Sequence, residues 1–180
     1  LYSHEFVRVS CCVPRTRVAD TAYNLAETLK LAAAGDKARA AVMVFPELGL
    51  SSYSIDDLLL QDALLEQVEE SITAIVAASR KLFPVLIVGA PLRVANRLYN
   101  TAVVIHRGRI LGVVPKVYLP NYREFYEKRH FISGANTICD TTELAGETVP
   151  FGTDLLFKAN GVDVTFHVEI CEDVWVPIPP

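Results

Sequence analysis

The stretch HVEICEDVW, residues 167–175, sets Cys171 between Glu169 and the pair Glu172 and Asp173, at the end of an apolar run. Thiolates and carboxylates repel, so a cysteine that only fills a core needs none of these neighbours. Two more chemically capable side chains stand at comparable places: MVFPELGLS puts Glu47 just past an apolar run, and LGVVPKVYLP does the same for Lys116. Singly, each has an ordinary explanation. A carboxylate past a strand caps a loop, a strand-end lysine is solvated, and a cysteine in an apolar strand is inert filling. Cys11 and Cys12, inside an early apolar stretch without an acid–base partner, illustrate that plain case. Jointly, Glu47, Lys116 and Cys171 form a reactive set. A thiolate is a strong nucleophile, and a buried glutamate can take the thiol proton and return it. An ammonium stabilises an oxyanion and favours the thiolate, and the backbone N–H of Glu172 is a second oxyanion donor.

Other chemistries find little support. The histidines, at positions 4, 106, 130 and 167, stand near no Asn or Asp partner motif, so a papain-like Cys–His pair is open but unsupported. No GxGxxG or GxxxxGK[ST] phosphate cradle is present, nor HExxH, an EF-hand or paired Cys/His spacing, so no metal is implied. GxSxG, the mark of many serine hydrolases, is missing too.

The elements that must position these residues read as α/β. FVRVSCCV (6–13) alternates like a strand, and Asp20 to Ala34 carries apolar residues at amphipathic helical spacing up to Gly35. AAVMVF (40–45), ended by Pro46, reads as a strand covered on both faces. Residues 54–83 are helical with a break near Asp62, and PVLIVGAP (84–91) is another buried strand. Two hairpins follow: residues 98–116 turning at Arg107-Gly108, and residues 153–171 turning at Asn160-Gly161, a type I′ signal. Helix-separated strands followed by hairpins predict a mixed sheet with helices on one face.

Length and composition set the bounds. The 180 residues can bury a substantial core, and 51% hydrophobic with 21% charged residues is an ordinary globular balance. A net charge of −4 without a Lys/Arg strip gives no nucleic-acid footprint. No apolar run approaches the roughly 18 residues that cross a bilayer, and LYSHEFVRVS is not a signal peptide. Cysteines 11, 12, 139 and 171 fit neither a disulfide framework nor a zinc knuckle, which favours a reducing, cytoplasmic setting. The chain starts without methionine and stops at VPIPP, so a longer polypeptide is expected.

FPELGLSSY, GVVPKVYLPNYREFYEKRHF and VEICEDVW together resemble the Glu, Lys and Cys motifs of the nitrilase (carbon–nitrogen hydrolase) superfamily. SSYSIDDLLLQ, RLYNTAVVIHRGRILGVVPKVYLPNYREFYEKRHF and FGTDLLF are similar to one branch, the amino-terminal glutaminase domains of glutamine-dependent NAD synthetases. The resemblance covers the chain from about Phe6 to Pro180 and implies an α-β-β-α sandwich, present here as an incomplete domain over residues 1–180. It implies Glu47 as general base, Lys116 as oxyanion-stabilising cation and Cys171 as nucleophile. Glu127 in FYEKRHF would support the triad, and Tyr53 and Tyr122 would shape a glutamine pocket alongside Glu172. The implied reaction releases ammonia from glutamine without a cofactor of its own. A synthetase domain of the same polypeptide would use that ammonia with ATP, Mg and deamido-NAD, and the branch implies homo-oligomers. A free-standing amidase, nitrilase or carbamoylase acting on another small C–N substrate, and a non-catalytic assembly domain of this fold, are the alternatives.

Overall fold

The computed structural model describes residues 4 and 6–180. Its centre is a five-stranded mixed sheet in the order β1-β2-β3-β4-β5. β1 (Val9–Cys11), β2 (Val42–Val44) and β3 (Val85–Val94) run parallel. β4 (Arg97–His106) and β5 (Arg109–Pro115) continue antiparallel. The two parallel crossovers carry the helices, α1 (Thr21–Lys37) and α2 (Asp62–Ser79). Asp20 caps α1 by accepting the Tyr23 N–H at 3.0 Å, satisfying one of the donors a helix start leaves bare. The break expected near Asp62 is real: a short 3-10 turn, Asp56–Leu60, precedes α2.

α2 buries Leu64, Leu65, Val68, Ile72, Ile75 and Val76, the i, i+3/i+4 stripe of a helix lying on a sheet. Val68, Ile72, Ile75 and Val76 join Leu86, Val88, Ala90, Val103, Ile105 and Val113 in the principal core, while Leu64 and Leu65 pack in a second cluster with Leu48, Ile55, Leu59, Leu98 and Phe131. The alternate residues of the same strands, Ile87, Ala102, Val104 and Val114, face the other way. There they meet Phe157 and Ile170, from β8 (Phe157–Lys158) with β9 (Thr165–Phe166) and the segment after it. The described residues thus build a helix layer on one face of the sheet and a short hairpin on the other.

Several expectations need correction. α1 runs through Gly35 to Lys37, because Gly35 is a packing point rather than a stop: a Cβ there would lie 2.2 Å from the Met43 sulfur. β2 is not covered on both faces, since Val44 is 38% exposed. β1 is shorter than the alternation of 6–13 suggests. β8 and β9 share only two residue pairs, and of Asn160 and Gly161 only the glycine is left-handed (φ 85°), so the turn is not type I′. No strand leads into Cys171; a 3-10 turn, Cys171–Trp175, begins there. An additional hairpin, β6 (Thr141–Leu144) with β7 (Glu147–Pro150), turns at left-handed Ala145 and Gly146. Ala95-Asn96 between β3 and β4 does the same, beside the expected Arg107-Gly108 turn. Alanine at a left-handed position is a weak turn signal, which is why sequence reading passes over both.

One glycine is dictated by the approach of two backbones. β3 passes so close to the turn after β2 that a Cβ on Gly89 would lie 2.4 Å from the Pro46 carbonyl oxygen and 2.5 Å from the Leu48 nitrogen. Neither atom can swing aside as a side chain can. Gly89→Ala is therefore expected to destabilise the fold by about 3 kcal/mol, the upper end of overpacking costs, read as a lowered urea midpoint of the natural-length polypeptide. Gly35→Ala meets only the flexible end of Met43 and should shift the midpoint less.

Candidate active site

The reactive residues come from three separate places and meet at one end of the sheet. Glu47 lies in the turn after β2, which Gly89 lets dock against β3; Leu50 N–H donates to the Gly89 carbonyl at 3.3 Å. Lys116 follows the last residue of β5 and is 0% exposed. Its backbone is fixed at both ends: its N–H donates to the Asn100 carbonyl at 2.8 Å, and its carbonyl accepts from Gly134 N–H at 2.7 Å. Glu127 starts a 3-10 turn, Glu127–Arg129, and is 4% exposed.

The Lys116 ammonium donates to Glu47 Oε1 at 2.6 Å and to Glu127 Oε1 at 2.7 Å. Its third proton has no protein acceptor among the described residues. Tyr53 donates its hydroxyl to the same Glu127 oxygen at 2.7 Å, and Asn100 Nδ2 donates to Glu47 Oε1 at 2.6 Å. Burial works against the ammonium, but the Glu47 charge and the hydrogen bonds to both carboxylates outweigh it and hold the Lys116 pKa above its usual value. Burial pushes the Glu127 carboxyl up, against the opposing hydrogen bonds of Lys116 and Tyr53. Burial and the bond to Glu127 raise the Tyr53 phenol far above its ordinary range.

Cys171 lines a cavity of about 200 Å³ together with Glu47, Gly89, Thr101 and Glu169. Its backbone is left-handed, φ 49°, a conformation that costs a residue with a β-carbon about 1–3 kcal/mol and clusters at functional sites. Asp173 holds that bend. Its carboxylate is 2% exposed and accepts the N–H groups of Tyr118 at 2.8 Å, Val117 at 3.2 Å and Ile170 at 3.2 Å. It therefore staples the backbone after Lys116 to the backbone before Cys171. Nothing local in the sequence shows that its carboxylate oxygens serve a segment more than 50 residues away. Desolvation raises the Cys171 thiol pKa first, and the Glu47 charge and hydrogen bond raise it further, while Lys116 opposes them.

The remaining candidates lie around this centre. Tyr53 and Glu127 line a neighbouring cavity of about 240 Å³ rather than the one holding Cys171. Tyr122 hydrogen-bonds Glu172 at 3.0 Å, and both reach the surface. Phe125 packs edge-on to both tyrosines, 6.3 Å from Tyr53 and 5.8 Å from Tyr122, making an aromatic link between the two pairs. A bidentate Arg129–Asp57 pair at 2.9 Å, joined by His130, fastens the loop of Tyr53 to the loop of Glu127. Asn100, absent from the sequence candidates, contacts both Glu47 and the Lys116 backbone; an asparagine inside an apolar strand is the one signal that singles it out.

Against this geometry, the carbon–nitrogen hydrolase family profile matches residues 8–178. The chain belongs to the carbon–nitrogen hydrolase family. The chain is 54% identical, over 99% of its length, to a glutamine-dependent NAD(+) synthetase of Mycobacterium tuberculosis, and 52% identical to that of Mycobacterium leprae. It spans about a quarter of those curated relatives, 26% in both cases. A crystal structure of a glutamine-dependent NAD(+) synthetase from Cytophaga hutchinsonii superposes with a TM-score of 0.78 at 25% identity, over 86% of this chain and 26% of that one. An amidase of Nesterenkonia sp. AN1 shares the fold, with a TM-score of 0.72 at 19% identity over 96% of this chain and 60% of the amidase. Both likenesses identify the α/β architecture as that of the nitrilase type. No helix among the described residues is long and apolar enough to cross a membrane.

The opposed influences on Cys171 give a test separate from turnover. Glu47→Gln removes the negative charge that raises the thiol pKa and keeps Lys116, so the pKa should fall. Iodoacetamide alkylation of Cys171, followed by mass spectrometry across pH, should then titrate at lower pH than in the parent. Lys116→Met should move it the opposite way.

Proposed function

We propose that this chain is the glutaminase part of a glutamine-dependent NAD synthetase, releasing ammonia from glutamine through a thioester on Cys171. The carrying observation is that Cys171 and Glu47 line one cavity while Lys116 is bonded to that same Glu47 carboxylate. The 54% identity to synthetases whose name specifies glutamine supports the substrate.

In this reading Glu47 takes the thiol proton as Sγ attacks the side-chain amide carbon of glutamine. The third proton of the Lys116 ammonium and the Glu172 N–H stabilise the oxyanion. Glu47 returns the proton to the amide nitrogen, which leaves as ammonia, and a γ-glutamyl thioester remains. Water, deprotonated by Glu47, then attacks the thioester; glutamate departs and the thiol regains its proton. Glu127 and Tyr53 act through Lys116, holding its charge in place. Tyr122 and Glu172 line the approach, where a cationic α-amino group of the substrate would find a carboxylate. Ammonia would pass to a synthetase domain of the same polypeptide, which would use ATP, Mg and deamido-NAD; the hydrolysis itself is done by side chains.

In the natural-length polypeptide, Cys171→Ala is expected to abolish glutamine-dependent NAD formation while leaving synthesis from added ammonia intact. Glu47→Gln and Lys116→Ala should each lower glutamine hydrolysis by about 10³-fold or more, with a double variant little worse, because members of one catalytic unit are not additive. Additive tenfold losses would mean that the three residues do not share a reaction. Equal turnover of glutamine and simple aliphatic amides would instead favour a free-standing amidase.

A further inference from the structure

Asn100 lies at the inner part of β4, opposite Pro91 of β3, and is 1% exposed. Its amide nitrogen donates to Glu47 Oε1 at 2.6 Å, and its main-chain carbonyl accepts the Lys116 N–H at 2.8 Å. One residue thus touches two members of the reactive set. Its Oδ1 is buried without a hydrogen-bond partner. A strand position required only for packing would carry an apolar side chain, since a bare buried amide oxygen is unfavourable. Flipping the amide would set Oδ1 against a carboxylate oxygen, so the anionic Glu47 determines the amide orientation.

Glu47 Oε1 accepts from both Asn100 and Lys116, each at 2.6 Å. That leaves Oε2 for the Cys171 thiol. We propose that Asn100 is a positioning residue for the hydrolysis: its amide locks the Glu47 carboxylate so that Oε1 is occupied and Oε2 alone meets the thiol. This rests on the reading of Glu47 as general base. Without Asn100, the carboxylate keeps a single fixed donor and swivels about its last bond, offering the thiol a lone pair that is often misaligned. The step affected is proton transfer, not substrate binding.

Among the described residues, the charged and titratable groups that face Glu47 are Lys116 at the end of β5, Glu127 and Tyr53 from the two flanking loops, Cys171, and Glu169 in the same cavity. Asn100→Asp would add a carboxylate at hydrogen-bond distance from Glu47, and two such groups retain a proton between them to higher pH. Glutamine hydrolysis across pH, in the natural-length polypeptide, tests this with Glu47→Gln as control. Asn100→Leu is expected to lose about 100-fold in kcat with KM changed by less than about threefold, the scale of misplacing a reacting group. Asn100→Asp should shift the acid limb of kcat/KM upward by about one pH unit or more. If Asn100→Leu does not fold, the Asn100→Asp profile decides alone. A folded Asn100→Asp with parent-like kcat and acid limb, beside an inactive Glu47→Gln, would overturn the proposal and leave the general-base reading standing. Parent-like activity in Glu47→Gln would overturn both.

Discussion

An ammonium group with no solvent exposure must be neutralised where it stands, and Lys116 is neutralised by two carboxylates at 2.6 and 2.7 Å. Removing either would leave a buried charge short of its partner, a loss larger than the pair's own net worth. Much of the surrounding architecture serves to bring these groups together. The turn of Glu47 reaches Lys116 because Gly89 lets two backbones approach; Glu127 reaches it because its loop is bonded to Tyr53 and, through Arg129, to Asp57. The apolar core between α2 and the sheet supplies the stability that tolerates such a costly polar centre.

The cysteine is attached by different means. Cys171 belongs to no strand and is left-handed, so its position comes from the backbone bonds that Asp173 accepts on both sides of the site. One buried carboxylate therefore sets the spacing between the lysine and cysteine segments. It also explains why the acids of HVEICEDVW differ in fate: Asp173 is buried and structural, Glu172 meets Tyr122, and Glu169 is exposed at the cavity.

Electrostatics explains why the cysteine can sit among acids at all. Burial and Glu47 favour the neutral thiol, and Lys116 opposes them. In the proposed reaction the thiol gives up its proton to Glu47 only as a substrate carbonyl arrives to take the charge of the sulfur. The two carboxylates of the cluster share one lysine, so they bring one negative charge more than the ammonium balances, and transfer of the thiol proton to Glu47 would move that charge onto sulfur without changing the total.

The alternation of β4 and β5, the Arg107-Gly108 turn, the helix of α2 with its break near Asp62 and the candidacy of Glu47, Lys116 and Cys171 were all legible in the sequence. They rest on local periodicity or on residue chemistry that one segment displays by itself. The role of Asn100, the stapling by Asp173 and the close packing at Gly35 and Gly89 were not, because each depends on a partner tens of residues away. The strand expected to end at Cys171 failed for the same reason. A carboxylate reached across from Asp173 to the Lys116 segment and bent the chain, and no local pattern registers a tertiary hydrogen bond. Sequence by itself determined which reactive groups exist and which periodic elements carry them. Only the tertiary structure decided that Glu47 and Glu127 meet at one buried ammonium, because ion pairing and backbone approach are properties of distance in space.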